Sequence, residues 1–314
     1  MQPSNALDPE DGSYEELLAM WADLEAGLSV VLLAPGHIPD FQKKIGQYDG
    51  WMRGLLERDT DIALYLLFQL AATSTTGYSA SHALVCAVLC HITALELKLP
   101  AAERDSLVHA AMTMNVSITS LQNELAVQSA KLSGSQRAAL HQHGARSRKV
   151  LADRGVADPL WLDVVAAHHD ELEGSGAANL APQPRRLAQL LQMIDRYGAM
   201  ISPRKSRSAR SVSESLREVV TGPGGRRTEL GDALVRAVGV CPPGSFVRLT
   251  NGETAVVLRR GDSPEDPVLA VLVDPQGRPT TPPRLHQKSA GAASVLGALS
   301  GLDGPSEAGR WTSG

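Results

Sequence analysis

Apolar residues recur at Leu17, Trp21, Leu24, Leu28 and Val31, the spacing of one face of a helix. "APGHIP" at 34–39 breaks that pattern, and a second stripe appears at Phe41, Ile45, Tyr48, Met52 and Leu55. Residues 60–73 form a third, more fully apolar helical run. Next, "TSTTGYSASHALVCAVLCHITALELKL" opens on capping residues and runs helically to about Leu97. Pro100 turns the chain into a helix reaching Met114. Ser133 is placed to cap a helix over 133–153, and Pro159 sits in the first turn of another over 159–171. A loop over 173–184 leads to the helix "RRLAQLLQMIDRYGAMI".

After about Gly239 the period changes from helix to strand. "GSFVRLTNGETAVVLRR" places two β-branched runs around Asn251-Gly252, the strongest short hairpin signal. "DPVLAVLVDPQGRP" supplies a third run and another turn. The resulting organisation is mainly α. Residues 1–13 are a disordered lead-in, and 14–75 are a helical module or a helical cap on the next domain. A helix array spans 76–220, a small β module 240–286, and a flexible tail rich in glycine and small residues 287–314. The β module is too small for a large core of its own, so it is expected to pack on the helices.

Composition narrows the partners. Only 4% of the 314 residues are aromatic, which argues against stacking platforms for single strands. A net charge of −4 gives no global attraction to DNA or to an anionic membrane, so neither is expected as a partner. Any nucleotide must be held by local positive groups. The three cysteines, Cys86, Cys90 and Cys241, do not make a disulfide framework. The polar, acidic start lacks the features of a signal peptide. The apolar run 62–72 falls short of the roughly 20 residues that span a bilayer. A soluble, cytoplasmic protein is the expectation.

The candidate chemistry lies in histidines and one aspartate. His168 and His169 are adjacent, followed by acids and a Gly174-Ser175-Gly176 turn. Neighbouring side chains on a helix point about 100° apart, so both line one pocket only where the helix ends. Neutral imidazoles bind borderline divalent metals, and carboxylates balance the charge. His82, His143, His168, His169 and Asp195 are therefore candidate ligands from several helices. His82 or His143 alone reads more readily as a hydrogen-bonded core or surface histidine. His82, Cys86 and Cys90 share a helical face, which could be a thiolate-containing metal site but reads first as a buried stripe, since free cysteine is a common core filler. His109 and His141 carry no specific argument. Arg196, Arg204, Lys205, Arg207 and Arg210 form an acid-free basic run, either a solvated face or a phosphate-binding one.

Over roughly residues 76–220 the order of these features resembles the HD-GYP family of metal-dependent phosphohydrolases. His82 stands where that family has its first histidine, and His143 matches the histidine of a later helix. "HHDELEGSGAANL" takes the place of HHExxDGSGYPxGL, with Ala177 and Ala178 for the Tyr and Pro. Asp195 matches the late aspartate ligand. "SPRKSR" matches the phosphate-contacting segment, making Arg204 and Arg207 the candidate anion binders. "AAMTMNVSI" replaces "AALLHDIGK", so the His-Asp pair is Met114-Asn115 and the motif lysine is Ile118. The β module is similar to a C-terminal extension of some relatives.

The resemblance implies an HD-type helical bundle and, for many members, hydrolysis of cyclic di-GMP with two or three iron or manganese ions. The substitutions oppose that chemistry. Asn115 cannot supply the negative charge of a metal-bridging aspartate. A thioether at 114 is a poor ligand for iron(II) or manganese. Ile118 brings no positive charge to a phosphate. The expectation is a catalytically impaired signalling protein that binds a cyclic dinucleotide, such as cyclic di-GMP, or a protein partner. The surviving ligands would hold one divalent metal (iron or manganese) or form an empty polar pocket. The alternative is an active metal-dependent phosphohydrolase using the remaining histidines.

Overall fold

The computed structural model describes residues 11–73, 77–170, 180–202, 212–221, 225, 227–286 and 294–298. Gly174, Ser175, Gly176, Arg204 and Arg207 lie outside the described residues. Three helices come first: α1 Asp11–Leu33, α2 Phe41–Arg58 and α3 Thr60–Thr73. The first helix thus begins at Asp11, inside the stretch expected as a lead-in. Trp21, Leu24 and Leu28 are buried from α1, and Phe41, Ile45 and Met52 from α2, in one continuous apolar core shared with the later helices. The N-terminal helices therefore have no core apart from the rest.

The central element is α4, Tyr78–Glu96. Every residue from Ser79 to Ala94 is buried, because helices close around it on several sides. These neighbours are α1, α3, α5 (Ala101–Thr113), α6 (Thr119–Val127), α9 (Pro182–Ile201) and α11 (Glu229–Val238). By length and composition α4 is the one described helix apolar enough to cross a membrane, yet 89% of its apolar window is buried inside the protein. A helix hydrophobic all round is also what a protein core requires.

Two further helices, α7 (Gly134–Asp153) and α8 (Pro159–Ala167), bring the remaining ligand candidates. Ser133 starts α7 with a capping box: its hydroxyl accepts from the Gln136 amide, and the Gln136 side chain accepts from the Ser133 amide. Asp158 caps α8 by accepting from the Leu160 and Trp161 amides. The expectation that this helix reaches 171 is corrected, since α8 ends at Ala167 and His168 is its C-cap. After α10 (Val212–Val220), α11 occupies a stretch for which periodicity predicted no element; Thr228 caps it by accepting from the Gly231 amide.

The C-terminal part is an antiparallel sheet of order β4-β3-β2-β1-β5. Its strands are β1 Phe246–Leu249, β2 Thr254–Arg259, β3 Val268–Val273, β4 Pro279–Leu285 and β5 Val295–Ala298. Asn251-Gly252 turns β1 into β2, with Gly252 at a φ of +87°. β5 pairs with β1, so the stretch expected as a tail from 287 contributes a strand. Val247, Leu249, Ala255, Val257, Leu269 and Val271 form the module's small core. Two ion pairs tie the module to the start of α3, Arg259 to Asp59 and Arg260 to Asp61, each at 2.6 Å.

Candidate metal centre

α4, α6, α7 and α9, with His169 just past the end of α8, line a cavity of about 470 Å³, within the size range of small-molecule sites. His82, Asn115, Ile118, His143, His169 and Asp195 are among its lining residues. Asn115 and Ile118 thus face the same space as the histidines. Met114 does not line it; fully buried, it packs in the apolar core.

The ligand candidates fall into two groups. In the first, the His143 ring Nδ1–H donates to the Leu140 carbonyl and the His168 Nδ1–H donates to the Val165 carbonyl at 2.7 Å. Those bonds leave Nε2 of each neutral ring with a lone pair, and the two Nε2 atoms are 3.1 Å apart. Two lone pairs at that distance repel unless a proton or cation lies between them. Ligand nitrogens about 2.1 Å from one ion, at angles between a right angle and tetrahedral, are separated by about 3.0–3.4 Å. A carbonyl holding the far ring nitrogen is also how metal-binding histidines are commonly oriented. Burial, helped by the neighbouring His169, pushes the pKa of His168 down to about 3, and burial likewise lowers that of His143. Both rings are therefore neutral and ligand-competent near pH 7.

His169 completes this group. Its ring centroid lies 4.3 Å from that of His168 and 4.8 Å from that of His143. With α8 ending at Ala167, the adjacent histidines escape helical divergence and their rings gather at one place. The His169 side chain is 49% exposed, the most open of the set.

The second group joins α4 to α9. His82 Nε2 is 2.7 Å from Asp195 Oδ1, and the Tyr78 ring stacks on the His82 imidazole. The other carboxylate oxygen of Asp195, Oδ2, lies 3.6 Å from His169 Nε2. Asp195 therefore faces both groups. Burial alone would raise its carboxyl, but the hydrogen bond to His82, with the electrostatic effect of the surrounding imidazoles, holds it well below the usual carboxylate range. Cys86, one turn along α4, places Sγ 3.6 Å from His82 Nε2. Its ligand atom, with those of His82 and Asp195, makes a second compact set. Cys86 is buried in the apolar core as the stripe implies, and its sulfur also faces the His82 imidazole nitrogen. Cys90 belongs to neither set.

Two glycines allow this convergence, and sequence reasoning missed both. A Cβ at Gly144 would lie 2.7 Å from the Ala166 carbonyl oxygen, so only glycine lets α7 approach the end of α8. A Cβ at Gly198 would lie 3.3 Å from Cys86 Sγ and from the His82 ring. Gly144 follows His143 directly, and Gly198 lies three residues after Asp195. That adjacency is the only sequence signal either carries.

Fold and site define a helical bundle built around clustered histidines and a carboxylate. No family model matches the chain. A curated cyclic di-GMP phosphodiesterase of Pseudomonas aeruginosa is 28% identical over 204 residues, covering 63% of this chain and 48% of that protein. The chain thus spans about half the length of that curated relative. Among solved structures, an HDG"Y"P protein from Bdellovibrio bacteriovorus superposes with a TM-score of 0.56 at 13% identity, covering 72% of this chain and 73% of that one. At that identity the likeness establishes the fold, which is mainly α with a small C-terminal sheet. The solved neighbour carries in its description the motif that the order of residues in this chain resembles.

Proposed function

We propose that this chain is a signalling protein whose metal-loaded pocket binds cyclic di-GMP, and that it hydrolyses the nucleotide slowly or not at all. One observation carries the impaired-turnover part: Asn115 is the residue of the Met114-Asn115 pair that lines the cavity, while Met114 is committed to the apolar core. A two-ion mechanism needs a negatively charged bridge that activates a shared water, and a neutral amide does not supply it. The binding part is supported by the named activity of the Pseudomonas relative. It also draws on a cavity of suitable size beside ligand-competent histidines. His143, His168 and His169 would hold an iron or manganese ion, which when bound supplies a positive centre for a phosphate oxygen. His143 and His168 present fixed lone pairs to it, while the exposed His169 stands at the open side. A cytoplasmic setting fits the three unpaired cysteines.

In this reading Arg204 and Arg207 pair with phosphate. Replacing both with alanine is expected to weaken cyclic di-GMP binding, measured by calorimetry, by about tenfold or more. Unchanged affinity would remove that assignment. Asp195 favours a second reading, retained phosphodiesterase activity, because its two carboxylate oxygens face the two ligand groups. A protein-docking role remains the outcome if the chain does not bind the nucleotide.

A further inference from the structure

We propose that Cys86 joins His82 and Asp195, which stand at ligand positions of the resembled family, as a thiolate ligand that turns this group into a site for a zinc-class divalent ion; the inference rests on the metal-binding part of the proposed function. Three observations converge on it. The ligand atoms of these residues all lie within 4.8 Å of one another. The separation of Cys86 Sγ from His82 Nε2 is 3.6 Å. A sulfur about 2.3 Å and a nitrogen about 2.05 Å from one tetrahedral ion stand about 3.6 Å apart. The His82–Asp195 pair, now at a hydrogen-bonded 2.7 Å, needs to open by only a few tenths of an ångström to admit an ion in place of the proton. Gly198 leaves room for that adjustment, because no side chain at that position of α9 presses on the sulfur or the imidazole.

Charge gives the arrangement its chemical sense. With Asn115 neutral, a divalent ion held by His82 and Asp195 alone would leave one positive charge uncompensated in a buried site, which is costly. A thiolate at Cys86 cancels it: two negative ligands and one neutral imidazole match a doubly charged ion. The thiol proton leaves to solvent on binding, as for other metal-bound cysteines. Sulfur ligation also changes the preferred ion. Manganese favours harder donors, whereas zinc and cobalt accept mixed sulfur, nitrogen and oxygen sets. The site therefore differs in metal class from the all-histidine group beside it. A cysteine that only filled the core would be surrounded by carbon; Cys86 stands beside an imidazole nitrogen and a carboxylate.

Cobalt(II) is the probe, titrated into the chelator-stripped full chain. The readouts are the thiolate-to-cobalt charge-transfer band in the near ultraviolet and the metal bound per chain. Wild type is expected to show the band and to bind two equivalents. Cys86→Ser and Cys86→Ala are each expected to lose the band and one equivalent while melting as cooperatively as wild type, and one folded variant suffices for the comparison. Cys90→Ser and Cys241→Ser should keep the band. His168→Ala should lose the other equivalent and keep the band. A wild type without the band, a band that survives loss of Cys86, or a band lost in His168→Ala would each overturn the proposal. Nucleotide binding is measured separately. A band without affinity for cyclic di-GMP would sink the functional reading and leave this site standing, and affinity without a band would do the reverse.

Discussion

His143 and His168 carry the strongest chemical statement a residue makes in this protein, because each is locked by a backbone carbonyl into the tautomer that faces the other. Replacing either with alanine is expected to weaken manganese or iron binding by roughly tenfold or more, since a direct ligand should matter at least as much as an outer-shell partner. Equilibrium dialysis with the metal checks it. His91 makes a different prediction. Burial, then the charge of Arg53, lowers its pKa from 6.5 to about 4. Above about pH 6.5 neither folded nor unfolded chain protonates it, and its contribution to stability is complete. As pH falls toward about 4, the unfolded chain takes up a proton that the folded one refuses, so stability is lost across that window. The melting temperature should fall between pH 7 and pH 5, and by less in His91→Gln. An equal fall in the variant would contradict the assignment. The histidine pair at 168–169 was legible in the sequence because adjacency is unusual. Cys86 was legible only as one of two readings, since a buried cysteine at helical spacing from a histidine has a commoner explanation in packing.

At the scale of elements, the site depends on how closely helices approach, and this is where the sequence is least informative. α7 reaches α8 because Gly144 has no side chain to meet the Ala166 carbonyl. Gly144→Ala is expected to cost about 1–3 kcal/mol, as overpacking does. It should also weaken metal binding at His143 and His168 by parting them. Urea unfolding and metal titration on the same variant check both effects; an unchanged pair of values would show that Gly144 does not set the approach. One-sided apolar stripes made α1 and α2 readable, as the burial of Trp21, Leu28, Phe41 and Ile45 shows. β4 was obscured by its own prolines at 279, 282 and 283, which are tolerated because it is an edge strand. α11 was hidden among flanking glycines, although its Thr228 cap is visible once the helix is known. β5 is short and lies in a run of small residues that, in isolation, reads as a tail.

Over the whole molecule, a helical bundle with one continuous core carries the site, and a small sheet is fastened to it by charged contacts. Arg260 is the main fastener, with Nε 2.6 Å from Asp61 and a terminal nitrogen donating to the Ala237 carbonyl at 2.8 Å. Arg260→Ala is expected to cost about 1–3 kcal/mol and to expose the β module to proteolysis before the bundle. A digestion time course that matches wild type would contradict it. The mainly α class was legible from periodicity, and the HD-type bundle from the resemblance carried by the order of the histidines. The state of the chemistry was not, because that depends on which side chain of a changed motif lines the cavity. Asn115 does and Met114 does not. The most direct test of impaired turnover is therefore cyclic di-GMP hydrolysis by the full chain loaded with manganese or iron, beside a His168→Ala, His169→Ala control. The nucleotide is expected to bind, and product to form no faster than in the control, or only slowly above it. Rapid, multiple-turnover hydrolysis that the control abolishes would contradict this, and would mean that the surviving ligands suffice without an aspartate at 115.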